Sequence, residues 1–506
     1  MRGLPEEVGR DVAIRPRSGV GGRPPKNAIG GRVDELHYLS ATQALDLFRA
    51  RTLSPVELME ALISRADHVE PSVNALGVRL FDEALAAAEQ SEQAYARKDR
   101  SVRPLEGIPI AIKEEMSVKG QRTTQGSLVY ADDVADHSAV VAQRVIDAGA
   151  IVHARSNAPE FSCAGFTHSR LWGITRNPWN LDFSPGGSSG GSAASLAAGT
   201  TTLATGSDLG GSIRVPAACC GVVGFKLTYG RVPVEPPFNL DHWCHEGPMT
   251  RTVADCALLF DVLSGPDPSD VTTLRPKLEV GSTFGGIEGW KVALSVTLGD
   301  FEVDDDVQAN TRTAADVFRE AGAVVEEVDL RWSRHRIVEA ALIHFGVVFG
   351  PLIQREVDDH RDLLTPYAIW FAENASRITK EDYLRGLEIE SHVYSELSAV
   401  LEEFDILICP TVATPALEAG EEYLNGGPVV NGVQLDHVYD IFMTLPFNIC
   451  SRCPAMSVPS GFAANGVPTG LQIVGRTFED TSVFRAAAAY ERLRPWFRSN
   501  QSFPNL

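Results

Sequence analysis

The sequence predicts an α/β protein with a single large domain, in which helices cover both faces of a mixed central β-sheet. Short apolar and β-branched segments alternate with segments whose apolar residues recur at helical spacing along most of the 506 residues. The composition agrees with this class, because 44% of the residues are hydrophobic and 22% are charged. Such a chain can bury a large core around one sheet.

Residues 1–33 differ in composition from the rest of the chain. They contain seven Gly and four Pro, with seven basic and three acidic residues. A segment of this kind buries little apolar surface, so we expect a flexible extension over residues 1–33 and one domain over residues 34–506. The N-terminus lacks the continuous apolar region of a signal peptide, and no stretch approaches the roughly 20 apolar residues of a membrane span.

The first helices are predicted from the residues at their N-termini. Ser40 with Gln43, and Ser54 with Pro55 and Glu57, have the spacing of capping boxes. Further helical patterns cover residues 81–94, 140–147 and 307–321, and residues 332–402 are mainly helical. Buried strands are predicted for residues 108–112, 151–154, 291–295, 323–328 and 406–409.

Residues 177–230 are rich in Gly, Ser, Ala and Thr and carry almost no charge. Small residues let backbone segments approach closely, which suits tight catalytic turns. The run GGSSG at 186–190 fits the G-x-S-x-G nucleophile elbow, but the preceding WNLDFSP is not an apolar strand. Phosphate-binding loops are a second alternative, and here the G-K-[ST] and G-x-G-x-x-G patterns are missing. By itself the run is equally compatible with structural packing of glycines.

One lysine and two serines from separate segments suggest a proton relay. Lys113 ends an almost wholly apolar strand, where burial disfavours the charged ammonium and favours a neutral amine that acts as a base. The alternative is a strand-end lysine whose charged group reaches solvent. Ser188 lies in one Gly-rich turn, and Ser212 follows residues 208–211 in another. Backbone N–H groups of the second turn could face a developing oxyanion.

The ordered motifs of this region resemble those of the amidase signature family. GGSSGGSA at 186–193 and DLGGSIRVPAACCGVVGFK at 208–226 match the family signature almost residue for residue. Four further motifs follow the family order: GIPIAIKEE at 107–115, NPWN at 177–180, CPTVATP at 409–415 and PTGLQIVGR at 468–476. The resemblance extends from about Leu36 to about Leu493. It implies a catalytic core over residues 104–262 and a variable substrate-pocket region over residues 332–402.

The resemblance implies an amidohydrolase that forms an acyl-enzyme on a serine. Lys113 matches the catalytic lysine, Ser188 matches the bridging serine that follows a cis peptide bond, and Ser212 matches the nucleophile. The resemblance implies an oxyanion hole formed by the backbone N–H groups of Leu209, Gly210, Gly211 and Ser212. It also implies that the side chains of Asp208 and Arg214 support this turn. The same chemistry serves amides, esters, carbamates and anilides, and it needs no metal or organic cofactor.

Two positions depart from the family pattern. Glu114 and Glu115 follow the lysine where the family frequently has Asp-Asn, which could alter the electrostatics around Lys113. Leu209 stands where the family often has a smaller or β-branched residue, although only its backbone is needed. The segment DHWCHEGP at 241–248 contains two histidines, His242 and His245, near the expected rim of the site, and either a structural role or substrate contact is open.

Charge and cysteine usage restrict the partners and the compartment. The net charge of −21 argues against nucleic acid, because binding phosphates needs a basic face. We therefore expect a small-molecule amide substrate, no nucleic acid and no membrane, with a homodimer left open. The eight sparse cysteines are predicted to be free, largely buried thiols of a cytoplasmic protein. Cys450 and Cys453 form a lone C-x-x-C, which indicates a zinc or redox site only weakly.

The substrate is predicted from the apolar residues of the variable region. The residues concerned are Phe345, Val347, Val348, Phe349, Leu352, Tyr367, Ile369, Trp370 and Phe371. The triplets 347–349 and 369–371 are too apolar for one amphipathic stripe, so at least one residue of each should face another layer, a subunit or a ligand. We expect uncharged aryl or alkyl amides as substrates. The alternatives are the glutaminase subunit of a Glu-tRNA(Gln)/Asp-tRNA(Asn) amidotransferase and an inactive binding protein on the same scaffold; the filled catalytic positions argue against the second.

Overall fold

The central feature of the computed structural model is one mixed sheet of eleven strands. The structure describes residues 33–97, 102–497 and 503–506. Residues Leu36–Leu506 group into one unit, in agreement with the predicted single large domain. The extension predicted over residues 1–33 lies, apart from Val33, outside the described residues.

The predicted strands are present, with ends that differ by one or two residues. The strands are β1 Leu76–Arg79, β2 Pro109–Lys113, β3 Ile151–Ser156, β4 His168–Ser169, β5 Gly173–Ile174, β6 Leu203–Asp208, β7 Val223–Lys226, β8 His245–Thr250, β9 Lys291–Leu294, β10 Val324–Glu327, β11 Ile406–Pro410, β12 Val429–Val430, β13 Val433–Gln434, β14 Ala455–Phe462 and β15 Pro468–Gly475. The central order is β1-β3-β2-β6-β8-β7-β14-β15-β11-β9-β10, and β4-β5 and β12-β13 form small separate pairs. Strand β2 runs parallel to β3 and β6, whereas β6 and β8 are antiparallel.

Local capping explains where several helices begin. The α-helices are α1 Ala41–Ala50, α2 Pro55–Val73, α3 Phe81–Ala96, α4 Val140–Asp147, α5 Gly190–Ala198, α6 Arg214–Cys220, α7 Val253–Leu263, α8 Asp305–Glu320, α9 Arg334–Val348, α10 Gly350–His360, α11 Pro366–Ala375, α12 Lys380–Glu403, α13 Leu445–Ile449 and α14 Asp480–Leu493. Both predicted capping boxes, at Ser40 and Ser54, are formed. Helix α8 begins two residues earlier than predicted, because the Asp304 carboxylate accepts a hydrogen bond from the Asp306 N–H.

Short 3-10 helices complete the regular structure at Val33–Tyr38, Glu160–Ser162, Phe238–Leu240, Arg361–Leu363 and Val438–Ile441. No single described helix is long and apolar enough to cross a membrane. Among the described helices, one bent pair, Arg334–Val348 and Gly350–Leu363, which meet at 57°, is long and apolar enough when the two helices are taken together.

The sheet has an apolar layer on each face. Ile406 and Ile408 of β11 pack in one hydrophobic cluster, and their neighbours Leu407 and Cys409 pack in another. Alternate residues of a strand point to opposite faces, so both faces of β11 are buried under helices. The same alternation in β2 places Lys113 on the opposite face from Ile110 and Ile112. Burial on both faces explains why these strands read as continuous apolar runs.

Candidate active site

A cavity of about 560 Å³ lies at the ends of β2, β6 and β8, and residues from α9 to α11 also line it. We call one set of lining residues the polar lining: Glu115, Ser188, Ser207, Ser212, Cys244 and Glu246. We call the other set the aromatic lining: Phe345, Phe349, Leu352, Ile353, Phe371 and Phe442. Both serines of the predicted relay therefore reach one cavity, although 24 positions separate them in sequence.

Lys113 lies beneath the polar lining and makes three polar contacts. Its Nζ atom is 2.7 Å from Ser188 Oγ, 2.8 Å from Ser207 Oγ and 3.0 Å from Glu115 Oε1. The lysine side chain is fully buried, so it does not reach solvent from the strand end. The β2 strand thus delivers a lysine nitrogen to the two serine hydroxyl groups and to a carboxylate.

Two neighbouring turns present the predicted serines. Ser188 precedes α5, and the Gly187–Ser188 peptide bond is cis. Ser212 lies between β6 and α6. The Ser189 N–H donates to the Ser212 carbonyl at 3.2 Å, which joins the two turns directly. Ser188 is buried and Ser212 is partly exposed.

A buried ion pair supports the turn before Ser212. The Arg214 guanidinium donates to both carboxylate oxygens of Asp208 at 2.9 Å, and the Asn448 side chain donates to Asp208 at 2.8 Å. Arg214 also donates to Gln472 at 2.8 Å. Burial disfavours the carboxylate, but the Arg214 charge and these hydrogen bonds outweigh it and hold the pKa of Asp208 well below its usual range. The turn is therefore attached to α13 and β15 as well as to α6.

The four backbone N–H groups named for the oxyanion hole are not equivalent. The Gly211 N–H donates to Asp208 Oδ1 at 2.9 Å, and Gly211 does not line the cavity. Leu209, Gly210 and Ser212 do line it. At Gly210 a Cβ atom would lie 2.7 Å from the Phe345 ring, so only glycine lets this ring approach the turn.

The two glutamates after Lys113 have different surroundings. Glu114 is buried and accepts a hydrogen bond from the Gly126 N–H at 2.9 Å, so it organises the following loop. Glu115 instead joins the cavity and accepts a hydrogen bond from the Ser162 hydroxyl. Burial disfavours its charge, but the Lys113 ammonium and neighbouring hydroxyl groups lower the pKa of Glu115 below its ordinary value. The departure at Glu115 thus places a carboxylate directly beside the lysine.

The histidines of the segment 241–248 have structural surroundings. His245 is buried and contacts the backbone carbonyl of Trp243 at 2.7 Å, and burial lowers the pKa of His245 to about 3. Neither His242 nor His245 belongs to the lining of the cavity. The same segment instead contributes Cys244 and Glu246, which sequence reasoning did not select.

The cysteines form no disulfide or metal site within the described part of the chain. All eight are free and buried. Burial raises the pKa of Cys450 and of Cys453, so the C-x-x-C pair is held as thiols. Among the described residues, no group of three or more His, Cys, Asp or Glu side chains could hold a metal ion.

The geometry corresponds to a known family of enzymes. The sequence model of the Amidase family matches residues 57–484 of this chain. The chain belongs to the amidase signature family. An acylamidase of Rhodococcus erythropolis is 36% identical over 474 residues, which cover 91% of this chain and 96% of the relative.

Two further amidase signature proteins are similar over nearly the whole chain. A glutamyl-tRNA(Gln) amidotransferase subunit of Chloroflexus aggregans is 33% identical over 500 residues, covering 91% of this chain and 98% of the relative. The crystal structure of a bacterial aryl acylamidase of this family superposes with a TM-score of 0.85 and 31% identity, covering 91% of this chain and 97% of that chain. As a member of the family, the protein is an amide-hydrolysing enzyme.

The predicted variable region of this amidase, residues 332–402, contributes the aromatic lining except for Phe442. Phe349 and Phe371 come from the two apolar triplets and line the cavity, whereas Val347 is 42% exposed. Tyr367 instead packs in the interior, where its hydroxyl donates to the His168 carbonyl at 2.9 Å. Each triplet therefore has one residue that faces the cavity, as predicted. That this residue contacts a ligand stays a prediction.

Several residues of the amidase site were missed in the sequence. Ser207 contacts Lys113 but precedes the signature motif at 208–226 by one residue. Gln472 belongs to the motif at 468–476, which indicated order along the chain without indicating contact with Arg214. Asn448 had no signal at all, because its contacts with Asp208 and Arg214 span more than 230 positions.

Proposed function

We propose that this amidase cleaves uncharged aryl or alkyl amides to an acid and an amine through an acyl-enzyme on Ser212. The observation that carries the proposal is the 2.7 Å contact between Lys113 Nζ and Ser188 Oγ beneath a cavity that Ser188 and Ser212 both line. A buried amine in hydrogen-bond contact with a serine can take its proton, and an accessible second serine can then attack.

The proposed first half-reaction begins at the Ser212 hydroxyl. Ser212 Oγ gives its proton to Ser188 Oγ, while the Ser188 proton passes to neutral Lys113 Nζ. The Ser212 oxygen bonds to the amide carbon, and the carbonyl electron pair moves to the oxygen. When the tetrahedral adduct collapses, the C–N bond breaks and the amine leaves with a proton returned through Ser188. A water molecule then attacks the Ser212 ester with the same proton transfers through Ser188, and the acid is released.

The oxyanion hole in this proposal uses three backbone donors. The N–H groups of Leu209, Gly210 and Ser212 belong to residues that line the cavity, while the Gly211 N–H is engaged by Asp208. A well-placed donor of this type lowers the barrier by about 3 kcal/mol. The role of Asp208 and Arg214 is then to hold the turn in the conformation that presents these donors.

Glu115 contacts the proposed base. Its carboxylate oxygen Oε1 lies 3.0 Å from Lys113 Nζ, on the fully buried lysine side chain that also contacts Ser188. The role of Glu115 in this proposal is to hold the lysine nitrogen in place beside Ser188.

The substrate class is supported by the aromatic lining and by the relatives. Phe345, Phe349 and Phe371 offer apolar surface to a ring or an alkyl chain, and desolvating a charged group beside them would be costly. An acylamidase and an aryl acylamidase are among the similar proteins.

A second candidate is glutamine hydrolysis in an amidotransferase complex. It is favoured by the 33% identity with the amidotransferase relative, and Arg355 at the cavity could face a substrate carboxylate. Arg355, however, is exposed. The described lining also contains four carboxyl groups, which would disfavour binding of the glutamine carboxylate. Comparing kcat/KM for an anilide with that for glutamine separates the two candidates, and a preference for glutamine would replace the first with the second.

A fluorophosphonate probe tests the nucleophile directly. After digestion, mass spectrometry should locate the adduct on Ser212, and the Ser212→Ala variant should lose both the adduct and amide turnover. Ser117→Ala is the matched control, because Ser117 also lines the cavity but has no proposed role. An adduct on another residue of the wild-type enzyme, or turnover retained in Ser212→Ala, would contradict the proposed acyl-enzyme.

A further inference from the structure

Glu246 is a buried residue of the cavity, and one of its carboxyl oxygens has no hydrogen-bond partner in the described part of the chain. It lies on β8 directly opposite Ser207 of β6 in the antiparallel pairing, so the two side chains share one face of the sheet. Glu246 is only 7% exposed and lines the cavity. Its Oε2 atom has no hydrogen-bond partner among the described residues. Buried polar groups are nearly always paired, so this exception needs an explanation.

The other carboxyl groups that line the cavity already have partners. The pairs are Glu115 with Lys113 at 3.0 Å, Glu235 with His137 at 2.7 Å, and Glu356 with Tyr130 at 2.6 Å. Glu246 is therefore distinguished from its neighbours by an unused hydrogen-bonding capacity within the substrate cavity. A polar group left unpaired inside a largely apolar cavity destabilises the free enzyme, and a ligand that pairs with it recovers that cost.

The charge state of Glu246 indicates which kind of ligand it would pair with. Burial, reinforced by the nearby carboxylates of Glu235 and Glu115, raises the pKa of Glu246 well above its ordinary value. This environment favours the uncharged carboxylic acid over the carboxylate. Such a group exchanges hydrogen bonds with neutral hydroxyl or amino groups without requiring a charged substrate.

We propose that Glu246 is a specificity-determining residue that hydrogen-bonds to an O–H or N–H donor carried by an uncharged amide substrate. The inference rests on the proposed amidase function and names its substrate class more closely. The aromatic lining would receive the ring or chain of the substrate, and Glu246 would receive a polar substituent on it. A hydroxyl- or amino-substituted aryl amide meets both requirements, whereas a purely hydrocarbon amide leaves Glu246 unpaired.

Matched substrates test this inference on the wild-type enzyme. One series compares acetanilides with a para hydroxyl or a para methyl group, which have similar size, and places the substituent on the amine side. A second series compares the corresponding para-substituted phenylacetamides, with the substituent on the acyl side. We expect a preference for the hydroxyl compound in kcat/KM, on the order of tenfold, in at least one series. Equal rates for hydroxyl and methyl compounds in both series would overturn the inference.

Variants attribute that preference to Glu246. Glu246→Leu should abolish the hydroxyl-to-methyl ratio, and Glu246→Gln, which keeps a hydrogen-bond acceptor, should retain most of it. Glu235→Gln is the matched control, because that carboxylate has a partner, and its ratio should equal the wild-type ratio. A ratio that persists unchanged in a folded Glu246→Leu enzyme would overturn the inference, and so would its loss in Glu235→Gln alone. If the wild-type enzyme hydrolyses the amides without discrimination, this inference fails alone; if it hydrolyses none of them, the proposed function fails with it.

Discussion

The polar lining and the aromatic lining of the cavity are built in different ways. Three groups of the polar lining, Glu115, Ser188 and Ser207, contact one specific partner, the amine of Lys113, at 2.7–3.0 Å. The aromatic lining consists of large apolar side chains that pack against their neighbours, for example Phe349 against Phe238 at 5.2 Å between ring centroids. Hydrogen bonds demand particular atoms at particular positions, whereas apolar packing accepts many side chains of similar volume.

This difference distinguishes two parts of one cavity. The groups that contact Lys113 come from strand ends and tight turns of the predicted core, and their hydrogen bonds leave little freedom for substitution. Apart from Phe442, the aromatic lining comes from the region 332–402 that was predicted to vary. We therefore expect changes at Glu115, Ser188 or Ser207 to alter kcat or folding strongly, and changes in the aromatic lining to alter mainly KM and substrate preference.

The largest expected effect is that of Lys113→Ala. Loss of the base should lower kcat by about 10²- to 10⁴-fold, because proton transfer from Ser188 loses its acceptor. Steady-state kinetics with an anilide measures the loss. Lys226→Met is the matched control, since Lys226 is equally buried but donates only to backbone carbonyls. Full activity in Lys113→Ala would contradict the relay, as would an equal loss in a folded Lys226→Met.

Asp208→Asn should act on the fold of the polar lining. Removing the carboxylate leaves the buried Arg214 charge uncompensated, which should destabilise the protein by about 3 kcal/mol. Thermal unfolding near pH 7 measures the change in Tm. Asp316→Asn, in an exposed pair with Arg319, is the control and should unfold close to wild type.

The same variant has a defined pH dependence. The pKa of Asp208 lies below its ordinary value of 3.8 in the folded protein, so its stabilisation is complete above that value and is lost as the pH falls through the folded pKa. The Tm difference between wild type and Asp208→Asn should therefore be constant at neutral pH and shrink under acid conditions. A difference that grows on acidification would show that Asp208 is not held as a carboxylate.

Phe349→Ala should have the smallest of these effects and should be confined to substrate binding. Loss of the ring removes apolar contact from the cavity, and kcat/KM for an aryl amide should fall about fivefold, mainly through KM. Val347→Ala is the matched control near the same helix end, because Val347 is 42% exposed and does not line the cavity. A large fall in kcat would show that the aromatic lining also positions the reacting groups.

Local patterns predicted most of the fold. The capping boxes at Ser40 and Ser54 form as predicted, and α4 has the predicted bounds, because these features depend on residues within one or two turns. The strand end at Lys113 was also predicted, since an apolar β-branched run ends there. Strand order was not, because neighbours such as β7 and β14 are joined by contacts about 230 positions apart.

The sequence by itself determined the fold class and the family, and it identified Lys113, Ser188 and Ser212 as candidate site residues, because glycine-rich turns and an apolar strand leave a local pattern. Only the tertiary structure decided how these residues meet their surroundings. It placed Ser207 and Glu115 against Lys113, engaged the Gly211 N–H with Asp208, and left Oε2 of Glu246 without a hydrogen-bond partner among the residues that the structure describes. Such contacts depend on side-chain direction and on the pairing of distant segments, and neither leaves a periodic signal along the chain.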